Sequence, residues 1–196
     1  MQKNLKKLLL SELLVSASKT QRIAYVAVMS ALLVVCNMFF EFKLADTQFS
    51  LTIFFSALTG ILIGPLFGFT ACFLGDLVGF LYNSGGFPYM PWIGISMGMV
   101  ALIAGFTVNA FDFKLKGAIF IKLALVSVFT FLVCTVAINT TAFWIVYNTR
   151  KVPFFAYLAT RLFVQGQIFN SLFNYALLFI TFPVFMRIKD SIQIKN

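Results

Sequence analysis

The stretch from Gly75 to Trp92, GDLVGFLYNSGGFPYMPW, places one carboxylate, Asp76, inside an apolar run and follows it with a loop of glycines, prolines and aromatic residues. A carboxylate can accept two N–H donors from an amino-pyrimidine edge, as carboxylates accept from the amino group of cytosine. Aromatic side chains stack on flat rings. The stretch therefore predicts the outer edge of a pocket for a flat heteroaromatic ligand. Its candidate ligand-binding residues are Asp76, Asn83, Phe87, Tyr89 and Trp92.

A second set of polar, aromatic and basic residues lies between positions 139 and 165. Arg161 and Gln165 are four residues apart and so share one helical face. Arginine binds carboxylates and phosphates with two parallel hydrogen bonds, whereas lysine binds them as a point charge. This set predicts an anionic tail on the ligand. Its candidate residues are Asn139, Trp144, Arg150, Lys151, Arg161 and Gln165.

Several of these residues also have a structural interpretation that needs no ligand. Asp76 could pair with Arg161, because an unpaired buried charge is costly. The cations at 150–151 could be solvated loop residues. Asn170 and Asn174 could bind neighbouring helices instead of lining a pocket. The sequence leaves these alternatives open.

The composition predicts an integral membrane protein. Hydrophobic residues make up 61% of the chain and charged residues 11%, with a mean hydropathy of +0.96, which exceeds what a soluble core needs. The 3 cysteines have no CxxC or CxxH spacing and histidine is absent, so we predict no metal site. No ATPase motif, catalytic triad or zincin motif is present, so we predict neither an enzyme nor a cofactor in this chain.

Apolar runs long enough to cross a bilayer core of about 30 Å, which takes roughly 20 helical residues, predict an all-α fold of six transmembrane helices in a compact bundle. The Gly64-Pro65 pair separates the second helix from the third, because proline interrupts a helix. The predicted helices are 21–40, 49–65, 66–84, 91–111, 117–146 and 156–186.

Two short segments flank this membrane domain, which spans residues 21–190. Residues 1–20 combine lysines with a leucine stripe and predict either an amphipathic helix on an anionic membrane surface or a frayed basic tail. Residues 191–196 form a cytoplasmic tail in this interpretation. With both termini in the cytoplasm, 11 of the 15 Lys and Arg residues lie inside, as the positive-inside rule favours. The net charge of +9 then needs no nucleic-acid partner.

The order and spacing of these features resemble the substrate-binding S components of energy-coupling factor (ECF) vitamin transporters. The matching features over residues 21–190 are the six helices, an Ala27-xxx-Ala31 motif, the GPLFG turn and GDLVGFLYNSGGFPYMPW. Within that family the chain is most similar to the folate group, through Asn139-Thr140, Pro153-Phe154-Phe155 and Arg161-Leu162. The segments 49–65 and 89–96 depart from the folate pattern.

The resemblance implies a subunit that captures a vitamin, folate or a related one, from outside a bacterial plasma membrane with high affinity. It further implies that Ala27 and Ala31 dock on a transmembrane coupling subunit, and that two ATPase subunits use ATP and Mg²⁺ to drive import. Pantothenate, riboflavin and cobalamin are alternative substrates in the same role. A stand-alone proton-coupled carrier, with Asp76 as the titrating group, is the alternative from another class.

Overall fold

The computed structural model of the chain describes residues 11, 14–15, 17–44, 47–82, 88–110, 118–149 and 151–193, with side chains for all of these except 37, 41–48, 110 and 185–193. Helices dominate the described part, as the sequence predicts, and a two-stranded antiparallel hairpin joins the first helix to the second. The elements are α1 Lys19–Phe39, β1 Glu41–Leu44, β2 Thr47–Ser50, α2 Thr52–Ile63, α3 Pro65–Tyr82, α4 Pro91–Ala110, α5 Ala118–Tyr147, α6 Phe154–Val164 and α7 Gln167–Gln193. Most of the predicted segment 1–20 lies outside the described residues, and the predicted tail 191–196 is described only to residue 193.

The start of α1 is fixed by a capping box. The Ser18 side chain accepts a hydrogen bond from the backbone N–H of Gln21 at 3.3 Å, and the Gln21 side chain accepts from the backbone N–H of Ser18 at 2.8 Å. The box satisfies amide donors that have no partner within the helix. As a result, the helix begins at Lys19, within the segment assigned by sequence to a separate amphipathic element.

The hairpin was not predicted from the sequence, and it shortens the predicted second helix. Glu41 pairs with Ser50 and Leu44 with Thr47 in antiparallel register. The predicted helix 49–65 therefore begins only at Thr52. Residues 49 and 50 form the end of β2 instead of a first helical turn.

Among the described residues, five helices are long and apolar enough to cross a membrane, namely α1, α3, α4, α5 and α7, while α2 and α6 are shorter apolar helices. The structure corrects the single helix predicted over 156–186, which is divided into α6 and α7. Gly166 lies between them with φ of 68°, a left-handed conformation that glycine adopts without a side-chain penalty. The count of six spans and the cytoplasmic position of the termini stay predictions.

Helices α2, α3 and α4 approach one another through glycine. A Cβ atom added to Gly60 would overlap the carbonyl oxygen of Ala101, and one added to Gly105 would overlap the carbonyl oxygen of Gly60. A Cβ atom on Gly68 would lie 2.7 Å from the Cα atom of Gly60. Such backbone approach is how helices associate where lipid provides no hydrophobic drive. The three helices thus form a close-packed unit.

Candidate ligand-binding cavity

A cavity of about 340 Å³ lies among β2 and the helices α1 to α7. This volume falls in the range of roughly 300–1,000 Å³ that small-molecule sites occupy. The wall combines apolar side chains such as Ile93 and Phe143 with many neutral hydrogen-bonding groups. These groups include Ser50, Thr52, Ser96, Asn139, Gln167 and Asn170.

Three of the predicted ligand-binding residues line this cavity together. They are Asp76 from α3, Asn139 from α5 and Arg161 from α6. Folding thus brings together groups that are up to 85 positions apart in the sequence, between 76 and 161. Their role in binding a ligand stays a prediction.

Tyr89 and Trp92 lie beside the cavity. The Tyr89 hydroxyl donates a hydrogen bond to Asp76 Oδ2 at 3.2 Å, and the Trp92 ring lies 5.8 Å from the ring of the cavity-lining Phe143. Burial, and then the charge of Asp76 and the hydrogen bond to it, raise the pKa of Tyr89 to about 12. The hydroxyl therefore stays protonated at neutral pH and remains a donor to the carboxylate.

The remaining predicted site residues do not line the cavity or are not described. The Trp144 indole donates to the carbonyl of Val152 at 2.9 Å, so it holds the turn between α5 and α6. Lys151 is exposed in that turn with φ of 51°, and Gln165 is exposed at the end of α6. The other predicted residues, Asn83, Phe87 and Arg150, lie outside the described residues.

Asp76 is a buried carboxylate, with 8% of its surface exposed. It lies against the first turn of α4, where a Cβ atom on Gly94 would come within 2.9 Å of Asp76 Oδ2 and 2.8 Å of the Tyr89 hydroxyl. The absence of a side chain at Gly94 lets α4 approach the acid this closely. A larger residue at position 94 would displace Asp76 or Tyr89.

Arg161 is equally buried, also at 8% exposure. Its Cζ atom lies 4.1 Å from the centroid of the Phe143 ring, a cation–π geometry. Within the described residues, Arg161 Nε has no hydrogen-bond partner, and Asp76 and Arg161 do not form an ion pair. The ion pair between Asp76 and Arg161, which the sequence left open, is therefore not formed in this conformation. Both residues border the same cavity.

Asn170 and Asn174 have the interhelical role that the sequence left open. Asn174 Oδ1 accepts from the backbone N–H of Phe54 at 2.9 Å, in the first turn of α2. Asn170 Oδ1 accepts from the backbone N–H of Ser50 at 3.0 Å, and Asn174 Nδ2 donates to the carbonyl of Ser50 at 2.7 Å. These bonds join α7 to the hairpin and to α2. Asn170 in addition lines the cavity.

Two π-helical stretches supply part of the wall, and sequence patterns did not predict them. They cover Phe131–Thr140 within α5 and Thr160–Val164 within α6. The first contains Cys134, Thr135 and Asn139 and the second contains Arg161, all of which line the cavity. Such stretches occur often at functional sites. These stretches are defined by backbone hydrogen bonds between residues five apart, which a hydropathy profile does not reveal.

The comparisons with known proteins agree with this membrane-bound, helical architecture. A family model described as "ECF-type riboflavin transporter, S component" matches residues 17–189. Among solved structures, the chain is similar to the crystal structure of FolT bound with folic acid, with a TM-score of 0.60 and 21% sequence identity over 81% of this chain and 92% of that chain. At that identity the likeness establishes the fold alone. No curated protein matches the chain.

The family match covers most of the 196 residues. It confirms the resemblance to S components that the order of motifs predicted. It also places the chain among transporter subunits, in agreement with the prediction that it is not an enzyme. The chain belongs to the family of ECF-type riboflavin transporter S components.

Proposed function

We propose that this chain is a membrane subunit that captures a flat heteroaromatic vitamin with high affinity for import by an ECF module. The observation that carries the proposal is the cavity in which buried Asp76 and Arg161 lie without an ion pair between them. Buried charges are stable when a counter-charge or several hydrogen bonds satisfy them. A ligand with an N–H edge and an electron-rich or anionic group would satisfy both.

Folate is the candidate that the sequence motifs favour. Its pterin edge would donate to Asp76, and its glutamate carboxylates would accept from Arg161. The fold shared with FolT supports this candidate only at the level of architecture. The second carboxylate would depend on cations of the turn at 150–151.

Riboflavin is the second candidate, and two observations favour it. The family model that matches the chain is that of riboflavin S components. Among the described lining residues, the charges are one acid and one arginine, and the polar remainder is neutral hydroxyls and amides. Such a wall suits an uncharged ring with a polyhydroxylated chain better than it suits a dianion.

A titration panel tests both candidates. Purified wild-type protein would be titrated calorimetrically, without ATP, with folic acid, riboflavin, pantothenate, thiamin and cobalamin. We expect tight binding of one flat heteroaromatic vitamin, and the absence of heat with every member would overturn the proposal. An Arg161→Met variant separates the candidates, because removing the cation should weaken folate binding more than riboflavin binding.

The import role requires partners outside this chain. In the proposed assembly, a transmembrane coupling subunit and two ATPase subunits act in the plasma membrane of a bacterial cell, and ATP and Mg²⁺ are used by the ATPases. Reconstituted vesicles distinguish this role from that of a stand-alone carrier. Vitamin uptake by this chain alone, abolished by a protonophore, would support the carrier with Asp76 as its titrating group.

A further inference from the structure

The Ser96 hydroxyl donates one hydrogen bond and accepts another. Ser96 is 3% exposed on α4 and lines the cavity. Its Oγ atom donates to the carbonyl of Cys134 at 3.3 Å, and Asn139 Nδ2 donates to Oγ at 2.9 Å. A hydroxyl has one proton, and the Cys134 carbonyl can only accept. Toward Asn139, therefore, the Ser96 hydroxyl can act only as an acceptor.

This arrangement fixes the orientation of the Asn139 amide. A side-chain amide has a donor end and an acceptor end of similar size, so its neighbours decide which end points where. Because Ser96 accepts from Nδ2, the carbonyl oxygen is the end directed away from Ser96. Within the described residues this oxygen, Asn139 Oδ1, is buried and has no hydrogen-bond partner. A buried acceptor without a donor is unfavourable, and a ligand N–H would remove that penalty.

The geometry of α5 brings both contacts of Ser96 to one place. Cys134 and Asn139 are five residues apart in the π-helical stretch Phe131–Thr140, where backbone bonds join residues five apart. The two residues therefore lie near the same side of the helix, opposite α4. On α4, Gly94 lies two residues before Ser96, and Asp76 packs against Gly94.

We propose that Ser96 is a positioning residue that presents Asn139 Oδ1 as an acceptor, beside the Asp76 carboxylate, to the N–H edge of the vitamin ring. The inference rests on the proposed function and specifies its ligand class, a heteroaromatic ring with an N–H next to a ring carbonyl. Pterin and isoalloxazine rings both contain that group. Ser96 acts through Asn139 and need not touch the ligand.

A double-mutant cycle with paired ligands tests the role of Ser96. The proteins are wild type, Ser96→Ala, Asn139→Ala and the double variant. The ligands are riboflavin with its 3-methyl derivative and folic acid with its derivative methylated at pterin N3. For the vitamin that wild type binds, we expect Ser96→Ala to lower affinity about tenfold, the usual size of one hydrogen bond. In the Asn139→Ala background, Ser96→Ala should lower the affinity by less than about twofold, because the effects of coupled residues are not additive.

The methylated ligands separate positioning from structure. Methylation removes the N–H, so the loss caused by Ser96→Ala should disappear with these ligands, whereas a general packing defect would weaken both ligands of a pair equally. Ser96→Thr keeps the hydroxyl and should retain most of the affinity. The matched control is Ser30→Ala, whose hydroxyl binds the Ala71 carbonyl at 3.0 Å away from the cavity. It should leave affinity unchanged.

The outcomes distinguish this inference from the proposed function. If wild type binds a vitamin but Ser96→Ala and Asn139→Ala have additive effects, the inference is overturned and vitamin capture stands. If wild type binds no member of the titration panel, the proposed function is overturned and this inference with it. If Ser96→Ala does not elute as a single species from size exclusion, Ser96→Cys, which has a weaker donor of similar size, replaces it in the cycle.

Discussion

At the scale of single residues, Asp76 is the group on which ligand recognition should depend most. Its only described hydrogen bond is the one from Tyr89, at 3.2 Å, so the carboxylate has acceptor capacity for a ligand. We expect Asp76→Asn to lower vitamin affinity by about 10- to 100-fold, because hydrogen bonds to charged groups contribute about 1.5–3 kcal/mol. Calorimetric titration measures the change.

The control for this variant lies on the same helix. Thr70 is exposed, and its hydroxyl donates to the carbonyls of Leu66 and Phe67 within α3. Thr70→Val should therefore bind the vitamin as wild type does. Equal affinity of Asp76→Asn and Thr70→Val would contradict a role for the acid in binding.

Residue types and spacing drew attention to Asp76, Asn139 and Arg161, which line the cavity, because polar groups inside an apolar chain are rare and costly. They were insufficient for Ser96, Phe143 and Gln167, which also line the cavity. A serine, a phenylalanine and a glutamine are ordinary in membrane helices, and only their contacts distinguish them. The aromatic ring that Arg161 contacts is that of Phe143, a residue that the sequence pattern did not select.

At the scale of elements, the link between α7 and the start of α2 should stabilise the fold. Asn174 Oδ1 accepts from the Phe54 N–H, and Asn174 Nδ2 donates to the Ser50 carbonyl. Removing one partner of a buried hydrogen bond costs about 1–3 kcal/mol. We therefore expect Asn174→Ala to lower the Tm of the detergent-solubilised protein, as measured by thermal unfolding.

Thr181→Ala is the comparison for Asn174→Ala. Within the described part of the chain, the Thr181 hydroxyl donates only to the Leu177 carbonyl of α7 itself, at 2.7 Å. Its removal breaks no link between elements and should lower the Tm less. A Tm for Asn174→Ala as high as that of Thr181→Ala would show that the link has no stabilising effect.

Hydropathy predicted where the long helices lie but not how they are interrupted. The run 91–111 corresponds to α4 at Pro91–Ala110, and 117–146 to α5 at Ala118–Tyr147. The break at Gly166 and the hairpin at 41–50 depend on backbone conformation and pairing. Hydropathy measures apolar content, which specifies neither a backbone dihedral angle nor a strand pairing.

At the scale of the whole molecule, α1 presents a face of small side chains outward. Ala24, Ala27 and Ala31 are all exposed, and small residues allow close approach of another helix. We expect Ala27→Trp and Ala31→Trp to abolish ATP-dependent uptake in vesicles containing the full complex while vitamin binding in detergent persists. In the proposed assembly, a bulky indole on this face would prevent contact with the coupling subunit without entering the cavity.

Leu32→Trp is the control on the same helix. Leu32 is 37% exposed and lies about 100° around the helix axis from Ala31. Uptake by this variant should be normal. If Ala27→Trp and Ala31→Trp transport the vitamin as well as Leu32→Trp does, the alanine face is not the docking surface.

Asn170 borders the cavity, and its side-chain amide also accepts a hydrogen bond from the backbone N–H of Ser50 at the end of β2. If the vitamin binds more tightly when this hydrogen bond is intact, occupancy of the cavity and the position of the hairpin are thermodynamically linked, and such linkage is reciprocal. A vitamin that binds more tightly when the Ser50 bond is intact must slow hydrogen exchange at that amide. By the same coupling, a change that stabilises the Ser50 hydrogen bond would raise the affinity for such a vitamin.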